Sequence, residues 1–338
     1  MKKNIVLLII AIVCGSMFFS CKPNTEKNYG KKGSSGKTLE LMLVADKNVY
    51  SGATKALFDS LYARPMEGSF WGEPIFDIAN IMPEAFRGES MFEAHRNIII
   101  LEIKDDNPNK VYRHVDYWSS PQVVYEFACK DRHSLDSLLA VCNEKVVEDF
   151  RNNEHLRVIK AFSSIKGVAI MNQLKEHFGF SLLFSDEFEM ANLDGDFAWV
   201  RKEAKDFGLG ILIQRLPYKN QNQFSEKEIL RNIDSSMAKV PGPADGSYMA
   251  TDQRLDCATK HVTLAGQYAV ETRGIWTVIG DFMGGPYVNY TVVAPDNKYL
   301  LLLTAYTYSP RATNQMPYPK RDHLMQMEGV CWSLDFNN

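Results

Sequence analysis

The sequence predicts an α+β fold made of two sheet-plus-helix lobes with mainly antiparallel strands. Three observations predict it. Apolar segments of strand length are interspersed with amphipathic helical segments, without the strict alternation of βαβ units. Neighbouring strand segments are joined by turns too short for a crossover helix, Asp194-Gly195 and Pro295-Asp-Asn297 among them. The same sheet-plus-helix plan also occurs on both sides of a boundary near residue 164.

In the first lobe, residues 38–163, the apolar run Thr38–Ala45 predicts a strand. Ala53, Leu57, Phe58 and Leu61 form one side of a helix that Pro65 stops. Strands follow at Ile75–Ile81, Asn97–Ile103 and Gln122–Cys129. The second of these is apolar at every position from Ile98 to Leu101, as a strand buried on both faces requires. Asp131 caps a helix running to about Phe150, with His155–Ser163 extending the packing.

The second lobe, residues 164–338, opens on a helix over Gly167–His177. Short strands are predicted at Phe180–Phe184, Glu187–Asn192, Phe197–Lys202 and Leu209–Leu216. A helix over Ser225–Val240 carries a capping-box pattern, Ser225 with Glu228. Strands at Gln267–Ile279, Tyr287–Val293 and Tyr299–Tyr308 precede a final helix over Lys320–Leu334. Gly284-Gly285-Pro286 lacks the residues of a phosphate loop and reads as a tight reversal between two strands.

The start of the chain carries an address. Lys2 and Lys3 precede nine apolar residues, Ile5–Val13, too few to span a bilayer and right for a secretory signal. Ser20 then places a small residue directly before Cys21. The expected organisation is a lipoprotein signal peptide over 1–20 and a lipidated flexible tether over 21–37, Cys21 bearing the lipid. The Gly/Ser/Lys-rich stretch Asn28–Lys37 has almost nothing to bury. The expected location is the cell envelope, anchored in the outer membrane and facing the periplasm.

Composition is that of a globular protein, with 45% hydrophobic and 23% charged residues. Without Lys2 and Lys3, 36 basic residues face 41 acidic ones, which argues against a nucleic-acid partner. Cys129, Cys142, Cys257 and Cys331 allow three disulfide pairings. Cys142 and Cys331 fall on apolar helix stripes, however, and this favours buried free thiols.

No pattern calls for a cofactor or a metal. Asn192–Asp196 lacks the distal ligands of a calcium loop, and the histidines, including His95 and His323, read as surface or capping residues. Tyr287, Tyr290, Tyr299, Tyr306, Tyr308, Tyr318 and Trp332 read as half-buried sheet positions. The densest polar segment holds Glu271 and Arg273, two apart and so on one face of a strand. With Arg96 and Asp281 they are the candidate binding residues, and the pair reads first as a structural ion pair.

The strings "ETRGIW", "GDFMGGP" and "PKRD", with "HRNIII" in the first half, resemble an uncharacterised lipoprotein family of Bacteroidota known only as a domain of unknown function. The resemblance implies a lipoprotein address and no mechanism. The expected function is a non-catalytic binding or structural module, tethered to the membrane by its lipid and engaging an envelope protein or the cell wall. The alternative is an envelope hydrolase of glycan or peptide, with a site gathered from both lobes.

Overall fold

The computed structural model describes residues 19–21, 31–68, 72–309 and 320–336. The apolar run Ile5–Val13, residues 22–30 and Tyr318 lie outside them. The chain is α+β and divides into two compact units, residues 1–64 with 74–154, and residues 65–73 with 155–338.

The first unit holds β1 (Phe19–Cys21), β2 (Glu40–Val44), α1 (Gly52–Tyr62), β3 (Asp77–Ile81), α2 (Pro83–Phe86), α3 (Ser90–Glu93), β4 (Asn97–Ile103), β5 (Lys110–Val115), β6 (Val123–Cys129) and α4 (Arg132–Phe162) up to Glu154. Its sheet runs β1-β5-β6-β4-β2-β3. Only β5–β6 is antiparallel; β2 runs parallel to β3 and β4, and β4 parallel to β6. This sheet is therefore mixed. The connections from β2 to β3 and from β3 to β4 are long enough to carry helices, which is what parallel pairing needs.

Side-chain alternation gives this sheet two different faces. Leu41, Leu43, Ile99, Leu101, Tyr125 and Phe127 are buried on one. There Phe150 of α4 meets Tyr125 and Phe76 edge-on, both at 5.8 Å. Arg132 of α4 donates to Val49 O (3.0 Å) and Thr54 Oγ1 (3.3 Å), tying in α1. On the other face Met42, Val44, Ile98 and Val124 pack against Phe86 of α2, with Trp118 alongside.

Residues 31–37 differ from the expected tether. Ser35 N donates to Ala94 O (2.8 Å), Ser34 Oγ to Pro121 O (2.5 Å), and Arg96 Nη2 to Gly36 O (2.7 Å). Gly36 has φ +94°, and a Cβ there would run into His95 Nε2. Small residues serve here for close backbone approach, which composition alone reads as flexibility.

The second unit holds the end of α4 and α5 (Val168–Phe178), β7 (Glu189–Asp194), β8 (Phe197–Glu203), β9 (Gly208–Pro217), α6 (Glu226–Met237), β10 (Tyr248–Thr251), β11 (Ala258–Leu264), β12 (Gln267–Ile279), β13 (Gly284–Val293), β14 (Tyr299–Tyr308) and α7 (Lys320–Trp332). Its antiparallel sheet runs β10-β12-β13-β14-β9-β8-β7, with β11 also on β12. Both faces are covered. α5 and α7 bring Leu174, Phe178, Leu324 and Met327 to one. α6 brings Ile229, Ile233 and Met237 to the other, against Trp276 and Tyr306.

Several local expectations change. Phe180–Phe184 alternates like a strand, but its backbone bonds to the chain end: Ser181 N donates to Asp335 O and Leu183 N to Ser333 Oγ. The capping box sits at Asn220 and Gln223, and Ser225 makes no side-chain cap. Gly284-Gly285-Pro286 lies within β13, and the reversal is at 280–283. His95 and His323 are buried, at 4% and 7% exposure, so neither is a surface residue. Cys129, Cys142, Cys257 and Cys331 are free thiols.

Candidate functional site

Among the sequence candidates, Glu271 and Arg273 do share a face of β12, turned toward α7. Arg273 Nε donates to Glu271 Oε1 (2.7 Å) and Nη1 to Glu328 Oε1 (2.8 Å), while Nη2 lies 2.8 Å from Glu328 Oε2. Lys260 Nζ adds a contact to Glu271 at 3.3 Å, and His155 Nε2 one to Glu328 at 3.3 Å. Arg273, Glu271 and Glu328 are 2%, 3% and 0% exposed. The buried guanidinium's pKa, which burial lowers, is raised on balance by Glu271 and Glu328. Gly68 closes over it, since a Cβ there would sit 2.7 Å from Arg273 Cβ. The cluster is a closed, neutralised network in the interior of its unit.

Arg96 belongs to the first unit and has its own network. Its Nη1 donates to Glu154 Oε2 (2.6 Å), and Asn97 Nδ2 donates to Glu154 Oε1 (2.8 Å). Asn153 Nδ2 bonds to Arg96 O, and His95 Nε2 lies 3.0 Å from Glu40 Oε2. The HRN residues thus pin the start of β4 to α4 and to residues 35–36. Asp281 is elsewhere again, at the β12–β13 tip, with its Oδ1 accepting from Phe282 N. The six residue steps from Arg273 to Ile279 hold it about 20 Å along the strand from the ion pair. Glu271 and Arg273 come together; Asp281 stands apart from them along β12, and Arg96 belongs to the other unit.

The open site is one that no motif announced. A groove of about 550 Å³ lies on the second face of the first sheet. Its floor is apolar, with Val44, Ile100 and Val124; Phe86, Tyr117 and Trp118 contribute the aromatic side. Glu102, Lys104, His114 and Glu126 stand along it, with Glu102 Oε1 2.6 Å from Lys104 Nζ and His114 Nε2 3.7 Å from Glu126 Oε2.

Topology explains why space remains there. From β2 the chain passes through α1 to β3 on one side, then returns by α2 and α3 to β4 on the other. The connection leaving β2 runs to β3 on one side, and the one leaving β4 runs past β6 to β5 on the other, so the two diverge across the sheet. A crevice therefore opens beyond the carboxyl ends of β2 and β4, where open α/β sheets bind ligands. Val44, Asp46 and Ile100–Lys104 line the groove at that point.

The aromatic side is held rigidly. Trp118 meets Phe86 edge-on at 5.5 Å and Tyr117 at 4.5 Å, and Tyr117 tilts over His114 at 4.9 Å. Gln122, fully buried, accepts from Trp118 N (2.8 Å) and donates to Glu93 O (2.6 Å) and His95 O (2.7 Å). It fixes the loop bearing Trp118 to the end of α3.

Residues 34–163 match the family model described as Domain of unknown function (DUF8532), and residues 168–333 match Domain of unknown function (DUF4837). Together the two matched stretches run from residue 34 to residue 333 with a short gap between them. No curated protein matches it. The groove and the HRN network lie in the DUF8532 domain, and the Glu271–Arg273–Glu328 network lies in the DUF4837 domain. The DUF8532 match begins at residue 34, inside the docked segment. No described helix is long and apolar enough to cross a membrane.

Sequence reasoning missed the groove because its residues are scattered from Val44 to Glu126 with no fixed spacing. The one available signal was the Tyr117-Trp118 doublet in a Ser/Pro-rich loop.

Proposed function

We propose that this is an envelope lipoprotein, lipidated at Cys21 and facing the periplasm from the outer membrane, that acts as a non-catalytic binding module through the DUF8532 groove. The groove carries this reading: about 550 Å³, within the range of small-ligand sites, at the point where the sheet's connections reverse. Its rigid aromatic side and salt-bridged carboxylates suit recognition, offering a fixed apolar surface beside hydrogen-bond acceptors. The address rests on Lys2-Lys3, Ile5–Val13 and Ser20-Cys21. Cleavage before Cys21 removes Phe19 and Ser20 from an edge strand, so the pairing from β5 to β3 is untouched.

Two measurements test this. Cys21→Ala should move the protein from the membrane to the soluble fraction with its fold unchanged; retention in the membrane would refute the anchor. A photo-crosslinking residue in place of Tyr117 should capture an envelope component in cells, while one in place of Val141, exposed on α4, should not. Equal or absent capture at both positions would refute the groove as a binding site.

A further inference from the structure

We infer that the DUF8532 groove binds a saccharide, packed against the Tyr117–Trp118 side with its hydroxyls donating to Glu102 and Glu126. The inference rests on the binding-module reading and adds the class of ligand. Three alternatives fit the groove less well.

A peptide adding as a strand needs a free sheet edge. The groove is floored by the faces of β2, β4 and β6; β4 lies between the other two, so its backbone groups are used within the sheet. A phosphate or carboxylate ligand needs a surplus of donors and positive charge. Five carboxylates, Glu102 and Glu126 among them, line the groove against Arg87, Lys104 and His114. Asp46 stands at the end of β2, where a phosphate-binding loop would instead offer bare backbone N–H groups. A lipid chain would strand those carboxylates away from water, and burying an unpaired charge is costly.

A sugar ring meets both halves of the surface. Its C–H face is apolar and flat, matching Tyr117, which is 46% exposed, and Trp118 beside it. Its hydroxyl edge supplies donors, and an ionised carboxylate is purely an acceptor with two oxygens. His114 stands beside Glu126, and Lys104 holds Glu102 in place before the ligand arrives, which lowers the ordering cost of binding. The Gln122 clamp does the same for Trp118.

The test is calorimetric titration of the purified protein with chitotriose, maltotriose and cellotriose, alongside trilysine and inorganic phosphate. At least one trisaccharide should bind, and phosphate should not. Trp118→Ala and Glu126→Gln should each weaken that binding by about tenfold or more, and Phe282→Ala, at the exposed β12–β13 tip of the second unit, should leave it unchanged. Glu126→Gln alters a half-exposed side chain, so it should stay folded even if Trp118→Ala does not. If no trisaccharide binds, or if binding survives both groove variants, the saccharide assignment is overturned. Should trilysine bind instead and respond to the groove variants, the ligand class is wrong while the binding-module reading stands. Loss of that reading would show separately, as failed capture at position 117.

Discussion

The two domains treat the faces of their sheets differently. In the DUF4837 domain both faces are packed, with α5 and α7 on one side and α6 on the other. Its most conspicuous polar residues, Glu271, Arg273 and Glu328, are sealed inside. In the DUF8532 domain α1 and α4 cover one face, while the short helices α2 and α3 cover the other only in part, leaving the groove. Charge that attracts attention in the sequence can thus belong to scaffold, and space for a ligand follows from how connections cross a sheet.

The largest expected effect separates scaffold from site. Arg273→Ala leaves Glu271 and Glu328 buried without their shared partner and should cost about 3–5 kcal/mol in urea denaturation. A loss under about 1 kcal/mol would mean that the network is not sealed. Next, Gly36→Ala forces a side chain into a left-handed conformation against His95 and should cost about 1–3 kcal/mol. Limited proteolysis at Lys31 and Lys32 should accelerate with it; an unchanged digest would restore the flexible-tether view of residues 31–37.

A smaller effect is expected at the start of α7. Glu73 accepts from the backbone N–H groups of Lys320 (3.0 Å) and Arg321 (2.8 Å), an anionic cap at a helix N-terminus. Glu73→Ala should lower stability by about 1 kcal/mol.

Acid should distinguish the domains as well. Burial, and secondarily Lys202, lowers the His323 pKa to about 4. The unfolded chain, with its histidine near about 6.5, then binds a proton that the folded domain refuses. The contribution of His323 to the stability of the DUF4837 domain is therefore complete above about pH 6.5 and is lost as pH drops toward 4; His323→Gln should flatten this slope. Asp149, in the DUF8532 domain, behaves differently. Burial raises its pKa, but hydrogen bonds from Tyr125 (2.5 Å), Lys145 and Arg113 (2.5 Å) outweigh it and hold the pKa below the usual carboxylate value. Its contribution is present above about pH 3.9 and is lost only below that. Domain-resolved hydrogen exchange across pH 3–7 should show the DUF4837 domain loosening first.

Long apolar or amphipathic segments were legible in the sequence. Asn97–Ile103 matches β4 end for end, and two-residue periodicity correctly placed Glu271 and Arg273 on one face. Glu328, the partner that explains them, lies 55 residues away on a helix, and no local pattern points to it. β5 was missed because Lys110, Arg113 and His114 interrupt its apolar positions; Arg113 is in the strand to reach Asp149. Parallel pairing in the first sheet escaped for a similar reason. Strand segments show which residues pair well, and only the crossing connections decide which strands become neighbours. The groove is a product of those connections, so it was the least legible part.

The most direct test of the whole account pairs two single-atom changes, Glu126→Gln and Glu328→Gln, and measures melting temperature and trisaccharide affinity for both. Glu126→Gln should lose affinity with its melting temperature held, and Glu328→Gln should lower the melting temperature with affinity held. The reverse pattern, affinity lost on Glu328→Gln at an unchanged melting temperature, would contradict the account and move the site to the DUF4837 domain.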